Sequence, residues 1–291
     1  MSSVLRHPLN RGGKLQALRD YVFWNAARFT LDAEFVLHMP EGIDLLLGRE
    51  QNYATSIYVH SLPDFAEMLF LSHLLREAEL FADVGANVGM YSTWAAGSAG
   101  ANVVAIEPVP LTFAGLTKNI RLNGLESLID PLQVAVGESP GHANMSSSEG
   151  GLNHVLEHAV RPDSILASVM RLDDIFADKC PFAMKLDVEG FELRALSGAR
   201  TILADVNLRA IIIELKNLHL NCYGTNVREV RQLLMANGFF PHRYDPFTRR
   251  VEPLTEHQET NEIFIRRNDA EVADRLSSAR RIVLPGFSSG V

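Results

Sequence analysis

Phe81-Ala82-Asp83-Val84-Gly85-Ala86-Asn87-Val88-Gly89, followed by Val103-Val104-Ala105-Ile106-Glu107-Pro108, decides the fold. An apolar run ends in an acid, a glycine turn opens a helix, and a second apolar run ends in another acid. This is the rhythm by which a doubly wound α/β domain holds an adenosine-containing ligand. Asp83 and Gly85 stand where strand gives way to turn, and Gly89 is expected to let the first helical turn approach the ligand closely. Glu107, about twenty residues on, ends the second strand, where an acid accepts hydrogen bonds from both ribose hydroxyls.

The glycine spacing narrows the ligand. Gly85-Ala86-Asn87-Val88-Gly89 lacks the G-x-G-x-x-G arrangement that brings a backbone against a pyrophosphate. D-x-G-x-x-x-G followed by E-P is instead the pattern of enzymes that use S-adenosylmethionine (SAM), which carries no phosphate. Asp83, Gly85, Ala86, Asn87, Gly89, Glu107 and Pro108 are therefore the candidate cofactor-binding residues. The competing reading is a structural βαβ unit with incidental glycines, and two acids at successive strand ends argue against it.

The chain has 291 residues, 47% of them hydrophobic, enough for one large α/β domain with additions. Its 27 basic and 35 acidic residues give a net charge of −8, which argues against a broad nucleic-acid surface. The two cysteines, Cys180 and Cys222, have no CxxC or zinc spacing and are expected to be buried apolar fillers in a reducing compartment. No signal-peptide-like apolar segment opens the chain, and no uninterrupted apolar stretch is long enough to span a membrane. A cytoplasmic enzyme is expected.

Residues 1–13 are polar and expected to be mobile. Lys14 to Phe29 reads as a helix with Leu15, Leu18, Val22 and Ala26 on one face, while Phe23, Trp24 and Phe29 read as core rather than as a sugar-stacking platform. Phe35–Leu37, Ile43–Leu47 and Ile57–Val59 read as short strands around Pro40-Glu41-Gly42, and Pro63 to Glu79 as a helix burying Phe65, Met68, Leu69 and Leu75. Residues 1–79 thus form an N-terminal region expected to serve as a lid or an oligomer contact. A core over 80–267 and a tail over 268–291 follow.

Within the core, strands are expected at 81–84, 102–107, 131–136, 182–186 and 210–214, with helices at 88–97, 110–123, 189–203 and 226–237. The polar stretch 137–153 reads equally as a lid or as a hairpin arm, and 168–172 as a short strand leading into a helical turn. Two late strands, near 241–244 and 262–265, complete a seven-stranded, mostly parallel sheet with one antiparallel strand.

The second signal is Met184-Lys185-Leu186-Asp187-Val188-Glu189-Gly190-Phe191-Glu192. It lies at the carboxyl end of a strand, the edge at which open parallel sheets bind ligands. Continued extension would place Lys185, Asp187 and Glu189 on one side. Glu214 closes the next apolar strand at the same edge, where an acid is costly unless paired, bound or at a cleft rim. Lys185, Asp187, Glu189 and Glu214 are the candidate catalytic residues. They could position a hydroxyl, take its proton or hold a divalent cation, with Asp187 and Glu214 as the candidate metal pair for Mg²⁺. The plainer alternative is a helix-start acid at Glu189, an exposed Glu192 and structural Lys–Asp and Lys–Glu pairs.

Taken together, several blocks resemble the FkbM family of SAM-dependent methyltransferases within class I. They are Asp83–Gly89, Ile106-Glu107-Pro108, Asn119–Gly124, Arg171-Leu172-Asp173-Asp174-Ile175, Lys185–Glu192, Ser197-Gly198-Ala199, Ile212-Ile213-Glu214 and Asn261–Ile265. They appear in family order across about 78–266, and Asp187-Val188-Glu189-Gly190-Phe191-Glu192 is the most family-specific. The resemblance implies a Rossmann-like sheet and O-methylation of a hydroxyl on a sugar, polyketide or other secondary metabolite. It implies that Asp83, Gly85, Asn87 and Gly89 surround the methionine part of SAM, with Glu107 on the ribose and Asp187 and Glu189 facing the acceptor.

Methyl transfer from a sulfonium is an in-line displacement that needs alignment and exclusion of water. A sugar hydroxyl also needs a base, for which Asp187 or Glu189 is the leading candidate. His154 and His219 are weaker ones, among the loop histidines His142, His154, His158 and His219. The expected partner is a small-molecule or glycan acceptor, and the composition is compatible with a homo-oligomer. Three rivals stand beside this reading. An NAD-dependent dehydrogenase or epimerase conflicts with the glycine spacing and the missing Y-x-x-x-K pair. A nucleic-acid or protein N-methyltransferase conflicts with D-V-E-G standing where an N/D-P-P-Y/F turn belongs. The third is an inactive SAM-binding module in a partner complex.

Overall fold

The computed structural model describes residues 7, 9, 13–30, 33–48, 54–147, 153–156, 162, 164–284 and 291. The expectation for 1–13 falls largely outside them. In chain order the strands are β1 (Phe35–His38), β2 (Asp44–Leu47), β3 (Leu80–Val84), β4 (Asn102–Ile106), β5 (Ile129–Leu132), β6 (Ala135–Val136), β7 (Gly141–Met145), β8 (Ile165–Met170), β9 (Ala183–Leu186), β10 (Ala210–Leu215), β11 (Phe239–Asp245), β12 (Arg250–Pro253) and β13 (Thr260–Arg266). The helices are α1 (Lys14–Thr30), α2 (Ala54–His60), α3 (Phe65–Leu74), α4 (Met90–Ala99), α5 (Pro110–Leu122), α6 (Leu172–Ile175), α7 (Glu192–Ser197), α8 (Arg200–Ala204), α9 (Asn217–Leu220), α10 (Val227–Ala236) and α11 (Ala270–Ser278).

The central sheet has the order β12-β11-β13-β10-β9-β3-β4-β5. Its five strands from β5 to β10 run parallel, and β13, β11 and β12 are added antiparallel. This is a Rossmann-like α/β fold, as expected from sequence. The expected seven strands are joined by an eighth, β12, which pairs with β11 across the turn at Asp245–Arg250.

Why these runs form interior strands is visible in their side-chain alternation. Phe81, Val103, Ala183 and Ile212 enter one hydrophobic cluster, whereas Ala82, Val84, Ile106, Met184, Leu186 and Ile213 enter another on the opposite face. Trp94, Leu116 and Ile120 cover the first face, and Leu196, Ile202 and Leu234 the second. With both faces covered, a parallel strand has no polar side, hence the unbroken apolar runs.

Trp24, Leu45, Ile57 and Phe70 of the N-terminal region join the first cluster, so one core is continuous from that region to the sheet. The β1–β2 hairpin is held by α5. Asn119 Oδ1 accepts from Leu46 N at 2.7 Å and its Nδ2 donates to Val88 O at 2.9 Å. Asn123 Oδ1 accepts from Asp44 N at 2.8 Å, and its Nδ2 donates to Asp44 O at 2.7 Å. The two asparagines of Asn119-Ile120-Arg121-Leu122-Asn123-Gly124 thus satisfy a strand edge that the sheet itself does not reach.

Several expectations are corrected. In α1 the buried side chains are Ala17 and Trp24, while Leu15, Val22, Phe23 and Ala26 are exposed; the side chain of Phe29 lies outside those described. Ile57–Val59 belongs to α2 rather than a strand, because Ile57 and Ala54 repeat on one helical face against Trp24 and its neighbours. The run 131–136 divides between β5 and β6, which belong to different sheets. Part of 137–153 forms β7, the hairpin-arm alternative, in a three-stranded sheet ordered β6-β8-β7. The helix expected at 189–203 starts only at Glu192 and breaks at Gly198 and Ala199. The tail contains α11, tied down where Arg275 binds both oxygens of Glu79 at 2.7 and 2.8 Å. Both cysteines are free thiols, and neither is fully buried as expected: Cys180 is half-buried and Cys222 exposed. No described helix is long and apolar enough to cross a membrane.

Candidate active site

The carboxyl ends of β4, β3, β9 and β10, neighbours in that order, open on a cavity of about 400 Å³. Its wall includes Asp83, Gly85, Ala86, Asn87, Glu107, Pro108, Lys185, Asp187, Glu189 and Glu214. Of the residues expected from sequence, Gly89 is absent from it. A Cβ on Gly89 would fall 2.6 Å from Leu116 Cδ1, so the small residue there admits α5, and the expected close approach to a ligand is replaced by helix packing.

At the β3–β4 end the turn is built from the backbone. Gly85 N and Ala86 N each donate to Ile106 O at 2.9 Å, and Gly85 adopts φ +80°. Glu107 then grips the turn, its oxygens accepting from Asn87 N at 3.0 Å and Val109 N at 2.9 Å. Burial pushes the Glu107 carboxyl up to about 7 against the pull of these two amides. Asp83 is 1% exposed; its Oδ2 accepts from the Ser92 hydroxyl at 2.6 Å and its Oδ1 has no partner. An orphaned, buried carboxylate oxygen calls for a donor. Adenosyl sulfonium cofactors bring ammonium and hydroxyl donors and no phosphate, so this wall fits SAM and has nothing built for a pyrophosphate.

At the β9–β10 end the carboxylates converge by a route the alternation rule does not describe. Extension ends at Leu186. Glu189 takes φ +52° and Gly190 φ +100°, and the turn is closed from inside by Glu192 Oε1, which accepts from Val188 N at 3.2 Å and Gly190 N at 3.1 Å. Glu192, exposed in the plainer alternative reading, is thereby buried. A Cβ on Gly190 would lie 2.5 Å from His219 O, so glycine is needed for the turn to seat on α9.

Lys185 is buried, with Nζ 2.6 Å from Asp187 Oδ2 and 4.7 Å from the centre of the Tyr91 ring. Burial by itself would lower its basicity, but Asp187 and Asp83 outweigh it and keep the ammonium charged. Glu214 Oε1 lies 2.6 Å from Lys216 Nζ; burial and the Asp187 charge push its carboxyl up, and Lys216 opposes them. Glu189 has no lysine of its own. His219 Nδ1 sits 2.8 Å from its Oε2 without an aligned hydrogen bond, and burial holds that imidazole below its ordinary range. Burial and then the charges of Asp187 and Glu214 push Glu189 up to about 8.

Among the described residues, the grouping that could hold a cation is Glu189, Glu214 and His219, whose ligand atoms lie within 4.8 Å of one another. Asp187, expected to pair with Glu214 for this purpose, is taken by Lys185. His154 forms part of a bridge segment beside β7, through bonds with Ser146, His142 lies exposed on β7, and His158 falls outside the described residues.

Sequence reasoning missed Asp64, Tyr91 and Lys216 as parts of the cavity wall. Asp64 Oδ2 accepts from Tyr91 Oη at 2.8 Å and Asn261 Nδ2 at 3.2 Å, joining the N-terminal region, α4 and β13. Only Lys216 had a sequence signal, standing two residues beyond Glu214 at strand spacing.

Residues 83–241 match the family pattern described as the methyltransferase FkbM domain. The hexuronic acid methyltransferase AglP of Haloferax volcanii is 29% identical over 201 residues, covering 65% of this chain and 79% of that protein. The 31-O-demethyl-FK506 methyltransferase FkbM of Streptomyces tacrolimicus is 29% identical over 213 residues, covering 60% of this chain and 78% of that protein. Among solved structures, an rRNA methylase from Streptococcus thermophilus gives a TM-score of 0.40 at 13% identity, covering 68% of this chain and 91% of that one. That likeness is too slight to carry an argument.

Proposed function

Since the chain belongs to the FkbM methyltransferase family and is a SAM-dependent enzyme, we propose that it methylates a hydroxyl oxygen of a sugar-like or polyhydroxylated small molecule. The observation that carries the proposal is the meeting of two differently built walls in one cavity. One is the Asp83–Gly85–Glu107 wall without phosphate provision, and the other the Lys185, Asp187, Glu189 and Glu214 cluster. Asp83, Gly85, Ala86, Asn87, Glu107 and Pro108 hold the cofactor in this reading. Bound SAM supplies a methyl group on a sulfonium sulfur, already electrophilic.

The protein's own share is to hold the acceptor hydroxyl in line and to receive its proton. Asp187, fixed by Lys185, orients the hydroxyl. Glu189 is the base: its carboxyl, pushed up to about 8, is more basic than an ordinary carboxylate and can still ionise near neutrality. Glu214, held by Lys216, lines the acceptor side. Pro63 and Asp64 of the N-terminal region close the acceptor end in this reading, which takes the lid rather than the oligomer contact of the two roles expected from sequence. The two curated relatives are named for a hexuronic acid and for FK506, acceptors that differ in charge, and both names point to small molecules.

Calorimetric titration with S-adenosylhomocysteine, with NAD⁺, and with the Glu107→Ala variant tests the cofactor half. Micromolar binding of the SAM product, absent for NAD⁺ and lost in the variant, is expected. Failure to bind S-adenosylhomocysteine at millimolar concentration would overturn the assignment.

A further inference from the structure

The acceptor half of the cavity has an unbalanced charge inventory. Four carboxylates face it, Asp64, Asp187, Glu189 and Glu214. Among the described residues of the wall only Lys185 and Lys216 are cationic, and each is already held by an acid at 2.6 Å, Asp187 and Glu214 respectively. Among the described residues no cation of the wall is left over for an incoming anion. Freeing either lysine would strand the carboxylate it serves in a half-buried site, which is costly.

Resting on the methyltransferase reading above, we propose that the acceptor is a polyhydroxylated ring without a carboxylate, and that an amine beside the reacting hydroxyl strengthens binding. Neutral hydroxyls can donate to Asp64, Glu189 and Glu214, whose oxygens are acceptors. An ammonium would do so with charge assistance and would supply what Glu189 lacks. A uronate would add a fifth negative charge beside four. Glu189 already shows the shortage, since its near neighbour His219 Nδ1 stands at 2.8 Å without an aligned hydrogen bond.

The experiment is calorimetry on the full chain saturated with S-adenosylhomocysteine at pH 7.5. The titrants are methyl glucoside, its 2-amino-2-deoxy counterpart and its 6-carboxylate counterpart. The amino sugar is expected to bind at least tenfold more tightly than the carboxylate, with the neutral sugar between them. Glu214→Gln, which unloads Lys216, is expected to narrow the gap by raising carboxylate affinity. Equal or tighter binding of the carboxylate by the unaltered chain overturns the proposal. So does failure of all three titrants in a protein that binds S-adenosylhomocysteine, because the acceptor class itself is then wrong. Loss of S-adenosylhomocysteine binding strikes instead at the methyltransferase reading beneath it.

Discussion

Gly85 and Asp187 are in contact through the backbone: a Cβ on Gly85 would stand 1.8 Å from the carbonyl oxygen of Asp187. Those two residues end adjacent parallel strands and begin the two halves of the cavity. The same carbonyl approach that lets the β3 turn form also sets the height of the β9 turn. Cofactor wall and acid cluster are one mechanical unit.

Gly85→Ala is therefore expected to damage both halves. The residue sits at φ +80°, and the added methyl meets backbone that cannot rotate away. Strain plus overpacking should cost at least about 2 kcal/mol of stability. Denaturant unfolding should show that loss, and S-adenosylhomocysteine affinity should fall at least tenfold. A variant with unchanged stability and affinity would show the contact to be loose.

Glu189 gives a pH dependence with a defined sign. As a base it must be ionised, so kcat/KM should rise as pH rises toward about 8 and level off above it. Glu189→Gln should abolish that limb and lower kcat by about 10²–10⁴.

The same raised carboxyl has a stability consequence. The folded protein keeps a proton that the unfolded chain releases near the ordinary carboxylate value. Stability is therefore full below that value and declines until pH passes about 8. Glu189→Gln removes the decline. At pH 8.5 the inactive variant should unfold later than the parent by on the order of 1–3 kcal/mol, and the two should coincide near pH 4. Thermal unfolding at both pH values decides it.

Lys185→Met should be severe. The lysine is buried, bonded to Asp187 and close enough to Asp83 to stabilise its charge. Breaking such a pair from one side costs about 3–5 kcal/mol, whereas removing both partners costs far less. Adding Asp187→Leu should then restore most of the stability and none of the activity, as read from a double-mutant cycle of unfolding energies.

Chelation should leave activity unchanged. Glu189, Glu214 and His219 offer three donor atoms, fewer than the oxygen ligands a hard cation takes, and Glu214 is already engaged by Lys216 at 2.6 Å. Retained turnover in EDTA is the expected result. Loss of turnover, restored by Mg²⁺, would make that trio a metal site.

Much of the fold was legible because its information is local. Leu80–Val84, Asn102–Ile106 and Ala210–Leu215 are apolar runs stopped by acids or turns, and two covered faces leave no other use for them. Misreadings came where a partner element decides. Ile57 is as suited to a strand as to a helix by composition, and packing against Trp24 chose the helix. Leu15 and Val22 share a helical face with Leu18, yet Trp24 buries more surface and turned the opposite side of α1 inward. Glu189 looked like the start of a helix, but the carboxylate of Glu192 pulls the Val188 and Gly190 amides into a turn first.

By itself, the sequence determined the α/β class, the edge of the sheet at which chemistry occurs, and a cofactor without phosphate. Each follows from residue order along one strand and the turn after it. The tertiary structure decided which polar groups meet: it selected Lys185 with Asp187 and Lys216 with Glu214 from the pairs the sequence offered, and it alone brought together Glu189 with His219, and Asp64 with Tyr91 and Asn261. Such pairings join positions as far as 197 residues apart. Their energies depend on distance and burial, which a linear chain does not contain until it is folded.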